Sequence, residues 1–215
     1  MEYPAEITKI TVQKKNKNRS AIFLNHEFAF GLDSALVAKF DLKEGDQLTK
    51  EQVANIRFKE EGRRIKEKAY RYLAGRAHSE KELRIKLQQK GYDHKLVEEV
   101  ISDLKGVSLI DDLAFALSYA HSRLINRPVG EKLLRSELWH KGVSQEIIDK
   151  AVHETYAEKN QLQIARELVD KRKSHYPSLE SWKEKKRIAD FLIRRGFDWE
   201  LVKEVIAEKF ENQTD

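Results

Sequence analysis

The chain contains 215 residues, of which 36% are charged and 40% hydrophobic, with 41 Lys and Arg against 36 Asp and Glu. This composition provides a thin apolar core under a charged surface, which suits helical arrays in which each unit buries one face against its neighbour. The absence of cysteine excludes disulfides, cysteine-ligated zinc and thiol nucleophiles, and it indicates a reducing compartment. Because no apolar run resembles a secretory signal or approaches the roughly 18 residues of a membrane span, we expect a cytoplasmic protein.

The first 60 residues are predicted to form a strand-rich extension. Between residues 6 and 32, short apolar runs are separated by two tight turns, a pattern typical of a three-stranded meander with a basic first turn at residues 14–19. Asp33 is then expected to cap a short helix through Ala38. Thr49 with Gln52 matches a capping box, which predicts a helix that ends at about Phe58.

From about residue 63 the pattern is helical and repeats three times around Gly91, Gly142 and Gly196. Each glycine ends one helix in a left-handed conformation, the preceding cation complements that helix's negative end, and Asp or Ser caps the next helix. An apolar residue before that cap can pack on the fourth residue of the new helix and so fix the angle between the two helices. The residues in these roles, with the apolar pair of the earlier helix first, are Leu83, Leu87, Lys90, Tyr92, Asp93 and Val97; Leu134, Leu138, Lys141, Val143, Ser144 and Ile148; and Ile188, Leu192, Arg195, Phe197, Asp198 and Val202.

These units predict a mainly α fold of three tandem three-helix repeats that form an elongated curved array, with a small N-terminal β-meander and helix segment. The predicted segments are the extension at residues 1–60 and the repeats at residues 63–112, 113–158 and 160–211. A first helix is expected before each glycine-centred pair, at residues 69–75, 115–125 and 164–173. Ser79 with Glu82 forms a capping box that opens the second helix of the first repeat.

Charge is distributed in the same order in every repeat. The first and second helices are basic, with ten Lys and Arg against three Glu in residues 63–90, five against two in 121–141, and six against two acids in 183–195. The third helices are acidic, with six acids against two Lys in residues 93–112, four against one in 144–158, and five against two in 198–211. A single charge run is usually a solvated face, but its repetition in register favours a basic stripe and an acidic stripe for binding.

Nine residues are the candidate binding set. A lysine lies ten residues before each glycine, at Lys81, Lys132 and Lys186, and the helical period turns these side chains away from the apolar stripe. Arg84, Arg135 and Trp139 share the outward face, and Arg76, Arg123 and Arg127 complete the set. Trp139 among cations could stack on a base or anchor a partner, although packing against the next repeat is the preferred interpretation.

The sequence carries no motif of a catalytic, cofactor or metal site. The nine glycines form neither a Walker loop nor a dinucleotide fingerprint, and no Gly-x-Ser-x-Gly elbow is present. His26 and His153 begin like zincin helices, but the second ligand position holds Phe30 or Ala157. Asp111 followed by Asp112 is typical of a helix start. We therefore expect a protein that is not an enzyme and binds no cofactor and no metal.

Motifs in the three predicted repeats resemble the RecX family of recombination regulators. Tyr72-Leu73, Arg76 and the run from Ser79 to Tyr92 are similar to its first repeat. Leu109 to Ala116 and Arg127-Pro128-x-Gly130, followed by Leu134 to Val143, resemble its second repeat, and Arg194 to Phe197 after Trp182 resembles its third. The match covers about residues 65 to 210. Departures are small: His78 stands where the family often has a basic residue, and the third repeat keeps less of the pattern.

The resemblance implies a non-enzymatic modulator of the RecA recombinase. Such proteins bind RecA and the groove of the RecA–single-stranded DNA filament, where they block filament growth or promote disassembly. They thereby suppress the ATPase, strand-exchange and co-protease activities of RecA and limit recombination and the SOS response. We expect a monomer that can also contact DNA directly and has no membrane partner. The strand-rich segment resembles an extension found in members from Gram-positive bacteria.

Two other classes of protein fit parts of the pattern. Paired helices around a glycine turn are also typical of helix-turn-helix transcription regulators, although three near-equal repeats offer no single recognition helix. A helical-repeat adaptor that binds only protein is the other alternative.

We predict that the purified protein has no intrinsic ATPase, nuclease or protease activity, because the chain has no phosphate-binding loop and no metal-ligand spacing. Turnover assays across a size-exclusion profile check this expectation. Activity that follows the protein peak through a second, unrelated column would contradict it.

Overall fold

The computed structural model describes residues 2–173 and 181–210. In these two stretches it contains four strands and ten helices, which confirms the mainly helical fold with a small N-terminal strand segment. The strands are β1 (Ala5–Gln13), β2 (Asn16–Leu24), β3 (Glu27–Asp33) and β4 (Gln47–Leu48). The helices are α1 (Ser34–Lys39), α2 (Lys50–Gly75), α3 (Glu80–Gln88), α4 (His94–Gly106), α5 (Asp112–Asn126), α6 (Glu131–His140), α7 (Gln145–Glu158), α8 (Gln161–Lys173), α9 (Ser181–Arg194) and α10 (Trp199–Phe210). Residues 174–180 and 211 of the predicted third repeat lie outside the described residues.

The sheet is antiparallel with the strand order β3-β2-β1-β4. Its first three strands form the predicted meander. The short strand β4 was not predicted, since two residues are too few to display a strand period. One face of the sheet is buried under α2, in a core of Ala5, Ile7, Ile22, Leu24, Phe30, Leu32, Leu48, Val53 and Ile56.

Both predicted helix starts in the extension have the expected caps. The Asp33 carboxylate accepts a hydrogen bond from the Ala35 amide at 2.8 Å. The Thr49 hydroxyl accepts from the Gln52 amide at 3.2 Å, and the Gln52 side chain accepts from the Thr49 amide at 2.7 Å. This reciprocal pair is the capping box that the sequence predicted.

Helix α2 does not end at Phe58, and the next helix does not begin at Ala69, so both of these predicted limits are wrong. One helix runs through to Gly75, because Ile65 and Ala69 are fully buried and extend the apolar stripe of its first half. Gly62 in its interior costs about 1 kcal/mol relative to alanine, which this burial offsets. The limits of the four predicted segments remain a prediction.

The glycine-centred pattern of the predicted repeats is confirmed in its main features. Gly91, Gly142 and Gly196 have φ angles of +79°, +84° and +84°. The apolar residues eight and four positions before them are all buried: Leu83, Leu87, Leu134, Leu138, Ile188 and Leu192. Asp93 and Asp198 accept cap hydrogen bonds from the following helix. Ser144 occupies the cap position of α7, but its side chain makes no cap hydrogen bond, which corrects its predicted role.

The chain folds into two compact units. The first holds the chain up to Tyr72 together with Leu87–Ser102, and the second holds Leu73–Lys86 and the chain from Asp103 onward. Among the described residues of the second unit, one core is built on α5, α6 and α7 and another on α8, α9 and α10. Among the described residues, no helix has the length and apolar character needed to cross a membrane.

Within the second unit, the start of one repeat's second helix packs on the glycine turn of the next repeat. The Ser79 hydroxyl donates a hydrogen bond to the Lys141 carbonyl at 2.6 Å. The Gly130 amide donates to the Arg195 carbonyl at 2.8 Å. Ser79 and Gly130 both lie twelve residues before a glycine, and both acceptors lie one residue before the following glycine. The two contacts are therefore the same contact made twice, which we call the interlock.

A second hydrogen bond of the interlock also recurs. The Asp112 carboxylate accepts from the Glu80 amide at 2.8 Å, and the Gln161 side chain accepts from the Glu131 amide at 3.1 Å. Each acceptor is the first residue of the next repeat's first helix. Because the first amides of a helix have no partner within that helix, each following repeat caps the second helix of the repeat before it.

We predict that Gly196→Ala destabilises the protein by about 1–3 kcal/mol more than Gly91→Ala. Both glycines have a left-handed φ, but a Cβ at Gly91 would meet open space, whereas one at Gly196 would lie 2.9 Å from the Cα of Leu133 and closer still to its amide nitrogen. Urea unfolding followed by circular dichroism measures the difference. Equal destabilisation by the two changes would mean that the interlock adds nothing to the cost of the left-handed backbone.

Candidate functional site

The three predicted lysines lie on the exposed side of α3, α6 and α9, opposite the buried leucine positions. Lys81 and Lys186 have no carboxylate partner within residues 2–173 and 181–210. Lys132 pairs with Asp198 at 2.5 Å, and 66% of its side chain is exposed. Two cationic groups are therefore fully available to a partner, and the third is available once it leaves an exposed ion pair that contributes at most about 1 kcal/mol.

Two of the lysines also lie at the interlock. A Cβ on Gly142 would approach the Cβ of Lys81 to 2.5 Å, so the aliphatic stem of Lys81 rests on that turn. The Lys132 amide donates to the Gly196 carbonyl at 3.1 Å. The next repeat therefore contacts both lysines, through the side-chain stem of Lys81 and through the backbone of Lys132.

The arginines of the same helices are held by carboxylates. Arg84 donates to Glu80 at 2.5 Å, and Arg135 donates to Glu131 at 2.8 Å. Arg135 also binds Asp149 of α7, and this hydrogen bond lowers the pKa of the Asp149 carboxyl. Both Glu–Arg pairs have the spacing of helix neighbours four residues apart, so their pairing was readable from the sequence. These two arginines stabilise the repeats and are less available for binding than predicted.

Arg76 and Arg123 are likewise engaged within the protein. Arg76 donates to Glu82 at 2.9 Å. Arg123 binds both carboxylate oxygens of Glu137, at 2.6 and 2.8 Å, in the bidentate geometry that makes such pairs strong. Burial alone would raise the pKa of Glu137, but hydrogen bonds from Arg123 and Tyr119 outweigh it and lower the pKa. Arg127, the remaining member of the predicted set, is exposed at the end of α5.

Trp139 does not pack against the next repeat, which corrects the preferred interpretation of this residue. Its side chain is 62% exposed and contacts only the edge of the His140 ring, at 5.3 Å between centroids, among the aromatic contacts of the described residues. The next repeat is contacted by the start of α6, at Gly130 and Leu133, which leaves the end of that helix uncovered. Trp139 is therefore accessible to a partner.

The described residues contain no group of three or more His, Cys, Asp or Glu side chains arranged to hold a metal ion. The acidic third helices are present as α4, α7 and α10, and they carry exposed carboxylates such as Glu99, Glu154 and Glu200. The arrangement offers exposed cations on the second helices and exposed carboxylates on the third helices, which is the chemistry of a binding surface.

Four family models match the chain. The RecX N-terminal domain matches residues 5–49, and the first, second and third three-helix domains of RecX match residues 66–104, 111–152 and 159–206. The regulatory protein RecX of Bacillus licheniformis is 31% identical over 96% of this chain and 78% of its own length. The regulatory protein RecX of Clostridium botulinum is 29% identical over 95% of this chain and 96% of its own length.

Two solved structures are similar over most of their length. A crystal structure of regulatory protein RecX has a TM-score of 0.75 and 26% identity, and the alignment covers 97% of this chain and all of the other. The crystal structure of RecX from Lactobacillus salivarius has a TM-score of 0.62 at 24% identity, over 69% of this chain and 96% of the other. The second of these supports the fold alone.

We predict that the free energy of unfolding falls less steeply with decreasing pH in Glu82→Gln than in the parent. Burial would raise the pKa of Glu82, but hydrogen bonds from Arg76 and Lys141 outweigh it, and the pKa falls from 4.5 to about 2. Because the folded pKa lies below the unfolded one, Glu82 stabilises the fold above pH 4.5 and loses this effect as the pH falls towards 2. We expect about 1–2 kcal/mol of pH-dependent stability to disappear in the variant.

Urea midpoints measured at intervals between pH 6 and pH 2.5 check this expectation. Glu99→Gln, which removes an exposed carboxylate of α4, is the matched control. If both variants lose stability with acid as steeply as the parent, the Glu82 bridge is not part of the acid response.

Proposed function

Because the chain belongs to the RecX family of regulatory proteins, we propose that it binds RecA and RecA–single-stranded DNA filaments. Through this binding it modulates, and mostly inhibits, the recombinase, ATPase and co-protease activities of RecA, and so limits recombination and the SOS response. It acts in the cytoplasm as a monomer, by binding rather than by turnover, and uses no cofactor.

The observation that carries this proposal is the row of exposed lysines at Lys81, Lys132 and Lys186. They occupy the same position in three helices, and all three are exposed. Lysine ammonium groups on flexible stems suit contacts with phosphates or with acidic protein surfaces that change along a filament. Trp139 is exposed at the end of the same helix as Lys132, and it supplies an aromatic anchor of the kind that dominates interface energies.

The interlock supports a partner that is itself repetitive. Successive second helices are joined at equivalent positions, through the Ser79 hydroxyl and the Lys141 carbonyl and again through the Gly130 amide and the Arg195 carbonyl. Equivalent lysines are therefore presented at regular steps to equivalent sites on successive protomers. A rigid row of this kind that fills a filament groove would hinder both the addition of protomers and access to the DNA.

The charge of the third helices weakens the helix-turn-helix alternative. In that class the helix after the turn enters the major groove, and here this helix is α4, α7 or α10. Each of them carries more acids than lysines, and the DNA backbone would repel it. The acidic third helices fit basic surfaces of a protein partner better.

We predict that replacing Lys81, Lys132 and Lys186 together by Glu weakens binding to the RecA–single-stranded DNA filament, most strongly at low salt. If the lysines contact phosphates, the slope of log affinity against log salt should shrink by roughly 0.7 for each phosphate that is no longer neutralised. If they contact acidic side chains of RecA, affinity should fall without that change of slope, and binding to bare DNA should hardly change. Fluorescence anisotropy over a salt series, together with RecA ATPase inhibition, measures these effects.

Two further proteins control for folding and for net charge. Lys81→Glu with Lys186→Glu leaves the Lys132–Asp198 pair intact and so avoids a new repulsion between carboxylates. Lys95→Glu with Lys159→Glu makes the same charge change at exposed positions outside the second helices. If the triple variant inhibits RecA as well as the parent at every salt concentration, the three lysines do not contact the filament.

A further inference from the structure

The first compact unit contains a polar cleft that the proposed function does not use. The cleft has a volume of about 440 Å³ and lies between the sheet and the middle of α2. It is lined by Gln13, Arg19, Phe28, Gly31, Arg64, Glu67, Arg71 and Tyr92. Its volume is in the range of pockets that hold small organic groups, and three of its eight lining residues are arginines.

The floor of the cleft is the open face of the sheet, opposite the face that α2 buries. Thr11, Ala21 and Gly31 are opposite one another on three adjacent strands, and residues paired in this way share one face. A Cβ on Gly31 would lie 3.0 Å from Gln13 Nε2 and 3.4 Å from Arg19 Nη2. The Gln13 amide and the Arg19 guanidinium therefore lie over the small residues of this face. Arg19 is held there by the Gly31 carbonyl at 3.1 Å and by the Glu60 carboxylate at 2.6 Å, so the cations left for a ligand are those of α2.

An exposed aromatic ring stands on the same face. Lys9, Phe23 and Phe28 form the next row across the strands. The Phe23 and Phe28 rings contact each other edge to face, with 5.9 Å between centroids, and 61% of Phe28 remains exposed. Because the edge-to-face contact favours one orientation of the Phe28 ring, the ring presents an open surface on which a planar group can stack.

The charge around the cleft is positive. Arg64 and Arg71 are exposed on α2, two helical turns and so about 10 Å apart along its axis, and the described residues hold no carboxylate paired with either. The acid that lines the cleft, Glu67, is bound by Arg63 at 3.0 Å. The turn between β1 and β2, with Lys14 and Lys15, follows directly after Gln13, and Lys17 lies at the start of β2.

We propose that this cleft binds a short segment of single-stranded nucleic acid. A base stacks on Phe28, and backbone phosphates contact Arg64 and Arg71. A flat sheet face with an exposed aromatic ring beside a basic track is the arrangement that binds single strands without sequence preference. An acidic peptide would use the arginines but would leave the Phe28 ring uncovered, and the polar floor offers no apolar pockets for its side chains. This site is independent of the lysine row and of any contact with RecA.

The test uses the full chain and an oligothymidylate that carries 5-iodouracil. On irradiation at low salt, we expect a cross-link at Phe28, identified by mass spectrometry of the peptides. Phe28→Ala should weaken binding of the unmodified oligothymidylate by about tenfold without changing its salt slope. Arg64→Gln with Arg71→Gln should weaken it as well and should reduce the slope by about 0.7 for each phosphate that the variant no longer neutralises.

Matched controls separate the cleft from net charge and from exposed aromatic rings in general. Lys39→Gln with Lys59→Gln removes two exposed charges of the same unit, and Phe58→Ala removes an exposed ring of α2 that does not line the cleft. Both should bind like the parent. The proposal would be overturned by equal effects in the cleft and control variants or by the absence of a cross-link at Phe28. It would also be overturned if poly-glutamate displaced the oligothymidylate while Phe28→Ala bound it as tightly as the parent.

Discussion

Helix ends leave carbonyl groups without partners inside the helix, and in this protein the preceding repeat supplies the missing donors. The carbonyls of Lys141 and Arg195, at the ends of α6 and α9, accept hydrogen bonds from Ser79 and Gly130. The glycine that follows each acceptor serves two needs at once. Its left-handed φ turns the chain, and its missing Cβ lets the neighbouring helix approach at Gly142 and Gly196. The order of the repeats and the exposed face of each second helix depend on this contact.

Four of the candidate arginines and the three candidate lysines have different roles in the second unit. Arg76, Arg84, Arg123 and Arg135 bind carboxylates of their own or neighbouring helices. These partly buried pairs hold the helices in place, and the planar guanidinium suits bidentate contacts. Lysines with long flexible stems occupy the outward positions, where an ammonium group can exchange water for a phosphate or a carboxylate. The division explains how a strongly basic row can coexist with a stable, ion-paired core.

The first unit uses its sheet differently on its two faces. One face carries the apolar core beneath α2, whereas the other carries small, polar and aromatic residues beside the arginines of the same helix. Antiparallel sheets commonly have one solvated face, so the open face alone is ordinary. The exposed Phe28 and the Gly31 floor are what distinguish this face as a binding surface, and both depend on strand pairing that brings distant residues together.

The sequence by itself determined the helical class, the glycine turns, the buried leucine positions and the outward lysines, because each follows from spacing within about 20 residues. It also predicted the capping box of Thr49 and Gln52 and the three main strands for the same reason. Only the tertiary structure decided the ion pairs between distant positions, because Lys132 with Asp198 and Lys141 with Glu82 join positions 66 and 59 residues apart. It likewise decided that α2 continues to Gly75, since burial of Ile65 and Ala69 outweighs the cost of Gly62. The exposure of Trp139 and the cleft beside Arg64 were also beyond the sequence, because local periodicity fixes the direction of a side chain but not what lies opposite it.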